Sequence, residues 1–161
     1  MPLLDSAPRQ GRYGVLVFFL LLTLAVAAIG SWATVPEIPH WYAGLAKPNF
    51  NPPSWVFGPV WTVLYILMAV AAWRVWRLVG LGQPLALFLV QLALNCAWSL
   101  IFFRAHQLGL ALADSVTMLV FIVWTGLAFY RHDRIAGVLF VPYAAWVSFA
   151  TILNAAVWQL N

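Results

Sequence analysis

The run Leu16-Val17-Phe18-Phe19-Leu20-Leu21-Leu22-Thr23-Leu24-Ala25-Val26-Ala27-Ala28-Ile29 decides which solvent this chain folds in. Wound as a helix, it is apolar on every face, which suits a membrane span and not the surface of a soluble domain. A barrel strand would alternate apolar and polar residues, and this run does not. The run sits inside a longer uncharged stretch, residues 13–36. Residues 48–73, 78–103 and 135–161 are uncharged too, and 105–130 carries only Asp114. A helix needs about 20 apolar residues to cross a bilayer core. The charge spacing therefore predicts five spans, over about 13–35, 54–76, 82–103, 107–130 and 135–157. The expected fold is an all-α integral membrane protein, a single bundle of five transmembrane helices covering 1–161.

Composition agrees. The 161 residues are 65 % hydrophobic and 7 % charged, against about 45–50 % and about 25 % in ordinary soluble domains. Mean hydropathy is +0.92. These values exclude a soluble domain, a disordered chain and a secreted disulfide scaffold. One cysteine, Cys96, cannot make an internal disulfide or a cysteine-based metal site. The 8 Lys and Arg are spread along the chain and form no nucleic-acid patch. Arg9, Arg12 and Ala25-Val26-Ala27 imitate a signal peptide, but the apolar run is too long and continues past Ala27. The N-terminus and the 2–3 and 4–5 connections carry Arg9, Arg12, Arg74, Arg77, Arg131 and Arg134. The opposite side has Lys47 and Arg104. The positive-inside rule then places the N-terminus inside and the C-terminus outside.

The connection over 36–53 is the long one. It holds Pro36, Pro39, Pro48, Pro52 and Pro53 with Trp41, Tyr42 and Phe50. Proline stiffens a loop by fixing φ, and aromatics suit the membrane interface. The segment is expected to form an ordered lid, or an interfacial plug that only seals the bundle. Pro59 falls near the start of span 2, and Pro84 fits the first turn of span 3. Pro142 lies well inside span 5 and should kink it near Val138.

Polar and aromatic residues gather beneath that loop. Span 2 presents Phe57, Trp61 and Tyr65 at intervals of four, one face of a helix. Span 3 offers Gln91, Asn95 and Trp98, and span 4 Leu110, Ala113, Asp114 and Thr117. Span 5 offers Trp146, Ala150, Leu153 and Asn154. An apolar, aromatic hollow with a few orienting polar groups is what a small-molecule site between bundle helices needs. Asn95 and Asn154 would be costly against lipid and should face inward, either to orient a ligand or to tie helices together. Asp114, the one ionisable group in a span, should also face inward, as a ligand anchor or an interhelical lock. No catalytic or metal constellation emerges: His40, His106 and His132 fall in three separate connections. Ala86, Ala93 and Ala97 form a smooth stripe on span 3, a candidate homodimer face.

The segment Trp41-Tyr42-Ala43-Gly44-Leu45-Ala46-Lys47-Pro48, followed by Pro52-Pro53-Ser54-Trp55-Val56-Phe57-Gly58-Pro59-Val60-Trp61-Thr62-Val63-Leu64-Tyr65, is distinctive. It resembles the translocator protein family, also called tryptophan-rich sensory proteins or peripheral benzodiazepine receptors. Gln91-Leu92-Ala93-Leu94-Asn95 with Trp98, Gln107 through Leu112 with Asp114, and Pro142-Tyr143 with Trp146, Leu153-Asn154 and Trp158 are similar to that family's third to fifth helices. The resemblance implies a five-helix membrane protein, often dimeric in bacteria. It implies binding of tetrapyrroles such as protoporphyrin IX or a haem-like ring, and of benzodiazepine and isoquinoline carboxamide drugs, with no required cofactor. Its pocket positions match Trp55, Phe57, Trp61, Asn95, Trp98, Leu110, Ala113, Trp146, Ala150, Leu153 and Asn154. The cholesterol motif proposed near the end of helix 5 in animal members is absent from this chain, so the resemblance does not extend to sterols, and this departure from the animal members favours a bacterial member. Three roles are open: transport, sensing or regulation by a bound tetrapyrrole; light-dependent porphyrin degradation, in which the chemistry would be the ligand's; and a membrane interaction protein regulated by ligand.

Overall fold

A computed structural model describes residues 9–161, with side chains from Tyr13 onward. Residues 1–8 of the expected domain, and the side chains of Arg9 and Arg12, lie outside that description. Five helical segments are long and apolar enough to cross a membrane: Tyr13–Tyr42, Ser54–Val79, Gln83–Arg104, Leu108–His132 and Arg134–Leu160. They are built from six α-helices. These are α1 (Arg9–Thr34), α2 (Phe57–Val79), α3 (Gln83–Ser99), α4 (Leu108–His132), α5 (Arg134–Val138) and α6 (Val141–Leu160).

The prolines set the irregularities. Past Thr34 the first span does not open into the expected lid. It tightens to a 3-10 turn over Val35–Glu37 and then widens to a π turn over Ile38–Tyr42. Pro36 and Pro39 each remove a backbone donor, which ends regular α geometry without ending the helix. The irregular loop is therefore shorter than the expected 36–53 and begins after Gly44. Pro142 acts as expected. The fifth span breaks at Leu139–Phe140, so that Pro142 sits in the first turn of α6. Asp133 caps α5, its Oδ1 accepting from the Ile135 and Ala136 amides at 2.9 and 3.3 Å. Gly80 closes α2 at φ +65, a backbone conformation open to glycine.

The larger core cluster lies mostly in the half of the bundle away from the loop, and a smaller one of Phe102, Phe103, Ala111, Leu153 and Val157 packs under Trp41, Tyr42 and Leu45 at the loop end. Ala69, Ala71 and Ala72 of α2 are wholly buried and let neighbouring helices approach closely. A relay of rings crosses the bundle from α1 to the break before α6. Phe19 meets Phe88 at 5.9 Å, Phe88 meets Phe129 at 6.3 Å, and Phe129 meets Phe140 at 5.2 Å. On the outside Val17, Phe18, Leu21 and Leu24 of α1 are exposed, as a helix bathed in lipid requires.

Candidate functional site

In the half nearer the loop the helices part around a cavity of about 450 Å³. From α2 and the turn before it come Trp55, Phe57, Trp61 and Tyr65. The α3 wall is Asn95 and Trp98, and the α6 wall is Trp146, Ala150, Leu153 and Asn154. The intervals of four read from the sequence place these residues on one face per helix.

Three expected lining residues lie elsewhere. Leu110 is 58 % exposed, Ala113 is also exposed, and Asp114 is half-buried outside the cavity wall. The cause is the rotation of α4. Its buried stripe is Ala111, Ser115, Met118, Ile122, Thr125 and Phe129, and only Ser115 and Met118 reach the cavity. One atom of Asp114, Oδ2, is buried without a protein partner. On α3, Ala86 and Ala93 are exposed and Ala97 is half-buried, beside the exposed Leu89 and Val90. The stripe therefore faces away from the cavity.

One wall escaped the sequence reading. Ala27, Gly30, Ser31 and Thr34 of α1 line the cavity, as do Val35, Ile38 and Tyr42 of its extension. The available signal was weak: small and polar residues clustered late in a span that otherwise carries large apolar ones.

Most polar groups on the wall are already engaged by the protein. The Tyr65 hydroxyl donates to Asn95 Oδ1 at 2.5 Å, and Asn95 Nδ2 donates to the Tyr143 oxygen at 3.0 Å. The Tyr143 hydroxyl then donates to Gln91 Oε1 at 2.7 Å, and Gln91 Nε2 approaches Met68 Sδ at 3.7 Å. This chain joins α2, α3 and α6 through side chains that are all buried. Nearer the loop, Trp98 Nε1 donates to Asn154 Oδ1 at 3.1 Å, and Asn154 Nδ2 donates to the Leu108 carbonyl at 3.0 Å. Asn95 and Asn154 thus tie helices and line the cavity at once. Trp146 differs: the residue lines the cavity, and its Nε1 is buried without a partner.

The loop end is fastened by polar contacts. Glu37 pairs with Arg104 at 3.6 Å and with His106 at 3.1 Å. His106, at φ 56, stacks on Trp41 with centroids 4.1 Å apart, and Arg104 lies over Trp32 at 4.3 Å. The Asn161 side chain grips Ala46 on both sides. Its Oδ1 accepts the Ala46 amide at 2.9 Å and its Nδ2 donates to the Ala46 carbonyl at 3.0 Å.

Comparison with known proteins matches this architecture to a family. The TspO/MBR family profile covers residues 19–159. The chain is 46 % identical over 145 residues to a tryptophan-rich sensory protein of Cereibacter sphaeroides, covering 88 % of this chain and 91 % of that one. It is 43 % identical over 138 residues to the translocator protein of Homo sapiens, covering 83 % and 82 %. It is 36 % identical over 148 residues to the tryptophan-rich protein TspO of Archaeoglobus fulgidus, covering 91 % and 96 %. A five-helix membrane bundle matched along nearly its whole length places the chain in the TspO/MBR family of membrane proteins.

Proposed function

We propose that the protein binds flat, hydrophobic ligands of the tetrapyrrole class, such as protoporphyrin IX, in the aromatic cavity, for transport, sensing or regulation. Drug-like molecules of the benzodiazepine type would occupy the same space. The observation that carries the reading is the wall itself: Trp55, Trp61, Trp98 and Trp146 around about 450 Å³, with Trp146 Nε1 making no hydrogen bond within the protein. Broad indole faces suit a macrocycle, each stacked pair adding about 0.5–1.5 kcal/mol beyond area burial. The Trp146 N–H is buried as well as unbonded, so it would reach an acceptor on the ligand edge once the indole turns toward the cavity.

The test is a titration with protoporphyrin IX of the protein purified in detergent, read by tryptophan quenching. Saturable quenching is expected. Trp146→Phe keeps a ring and removes the donor, so Kd should weaken by about 2- to 10-fold, the worth of one neutral hydrogen bond. Ala150→Phe puts a ring into the cavity and should abolish binding while the fold survives. Non-saturable quenching, equal in all three proteins, would refute the proposal. We also propose that two copies pair through the exposed α3 face. Ala93→Leu should then abolish crosslinked dimer, and an undiminished dimer would exclude that face.

A further inference from the structure

The cavity shares one wall with a second hollow. A groove of about 570 Å³ lies between α2 and α6 on the lipid-facing side of the bundle. Val60, Val63 and Leu67 form one bank and Pro142 and Ala145 the other, every one apolar. Trp146 lines both the groove and the cavity, and its indole stands between them.

The seam under this groove is the weakly fastened side of the site. Residues 57–67 of α2 touch α6 through edge-on rings, Phe57 on Trp146 at 5.7 Å and Trp61 on Tyr143 at 6.2 Å. Among the described residues no hydrogen bond runs directly from 57–67 to α6; Tyr65 reaches Tyr143 only through Asn95. The loop end contrasts with it: there Glu37, Arg104, His106 and the Asn161 clamp on Ala46 hold the chain with polar bonds. Turning Trp146 aside breaks no hydrogen bond, because its Nε1 makes none with the protein. A ligand of this apolar class is concentrated in the bilayer, and a path through water would strip away that favourable environment.

We infer that apolar ligands enter the cavity sideways from the bilayer, through the α2–α6 groove, with the Trp146 indole as the gate. The inference rests on the cavity being the ligand site, yet its test needs no tetrapyrrole.

Cys96→Ala removes the native thiol, and Ala150→Cys places one on the cavity wall. The protein is reconstituted in phosphatidylcholine vesicles. Labelling rates are compared for a bilayer-partitioned pyrene maleimide and a membrane-impermeant sulfonate thiosulfonate. The lipid-phase reagent should react the faster. Ala145→Phe and Val63→Trp fill the groove from opposite banks at lipid-exposed positions outside the cavity wall, so the fold tolerates them. Each should slow lipid-phase labelling about 10-fold and leave aqueous labelling unchanged. Trp146→Ala should speed lipid-phase labelling. Unchanged lipid-phase rates in both filled variants would overturn the inference, as would faster labelling by the aqueous reagent or no labelling by either. A protein that failed to bind protoporphyrin would overturn the proposed function and leave these rates as they are.

Discussion

Tyr143→Phe tests the buried polar chain with the smallest change in shape. Tyr143 is 0 % exposed and packs on Phe140 and Trp61, contacts that phenylalanine keeps. Only the hydroxyl goes. It accepts from Asn95 Nδ2 and donates to Gln91 Oε1, so two bonds are lost. Membrane double-mutant cycles average about 0.6 kcal/mol per side-chain bond, and a net bond in a soluble protein is worth about 0.5–1.5 kcal/mol. The expected loss is therefore about 1–3 kcal/mol, toward the upper end because both former partners stay buried. The assay is unfolding in mixed micelles at rising dodecyl sulfate fraction, followed by tryptophan emission. A second substitution sharpens it. Gln91→Leu, added to Tyr143→Phe, removes the orphaned acceptor and should recover part of the loss, since deleting both partners costs less than deleting one. A single variant within about 0.3 kcal/mol of the parent would refute the reasoning, because it falls below even the membrane average. So would a double variant no more stable than the single.

Three further outcomes follow from local geometry. Burial alone would raise the Asp133 carboxyl, but the Arg74 hydrogen bond at 2.7 Å, the α5 amides and the guanidinium charge together hold it below the usual carboxylate range. Its folded pKa is depressed, so its contribution is complete above about pH 4 and lost as pH falls through the folded value. Asp133→Asn should therefore flatten the acid limb of a stability–pH curve, and an unchanged limb would contradict the pairing. Asn161→Ala frees both polar groups of Ala46, and hydrogen exchange at the Ala46 amide should accelerate at least about 10-fold, against no change if the clamp is idle. A Cβ at Gly109 would lie 3.1 Å from the Trp158 ring. Gly109→Val should thus cost about 1–3 kcal/mol by overpacking, and Trp158→Ala in the same chain should relieve it.

The span pattern was legible because charge is so costly in lipid that each gap between charges marks a helix. The aromatic face of α2 was legible because Phe57, Trp61 and Tyr65 repeat every four residues, and large rings must share a side. The rotation of α4 was not. Its lipid-facing residues, such as Val116 and Val120, are as apolar as its buried Met118 and Ile122. Hydropathy cannot tell lipid from core, so neither the span 4 pattern of Leu110, Ala113 and Asp114 nor the resemblance that matched Leu110 and Ala113 to a pocket fixed which way that face turns. The buried stripe is instead marked by Ser115 and Thr125, whose hydroxyls bond back to their own helix at Leu112 and Phe121 and so fit an apolar interface. The Asn161 clamp joins residues 115 apart in sequence, beyond any local pattern.

The way the polar groups are used bears on what the cavity can discriminate. Asn95, Asn154 and the Trp98 N–H sit on the wall, yet each is bonded within the protein. A ligand that competed for them would have to break helix ties, at a cost no single new bond repays. In the proposed role recognition then falls to ring shape and to wall donors outside these helix ties, Trp146 Nε1 among them. A site built that way rejects by volume more than by hydrogen-bond pattern, and a hydrophobic pocket separates near-isosteres by only about 10- to 200-fold. A porphyrin and a flat aromatic drug would therefore compete in one cavity without sharing any polar motif. The variant that should separate them is Trp146→Phe, which weakens only the ligand whose acceptor meets that indole. Equal weakening of both would place the discrimination in ring packing alone.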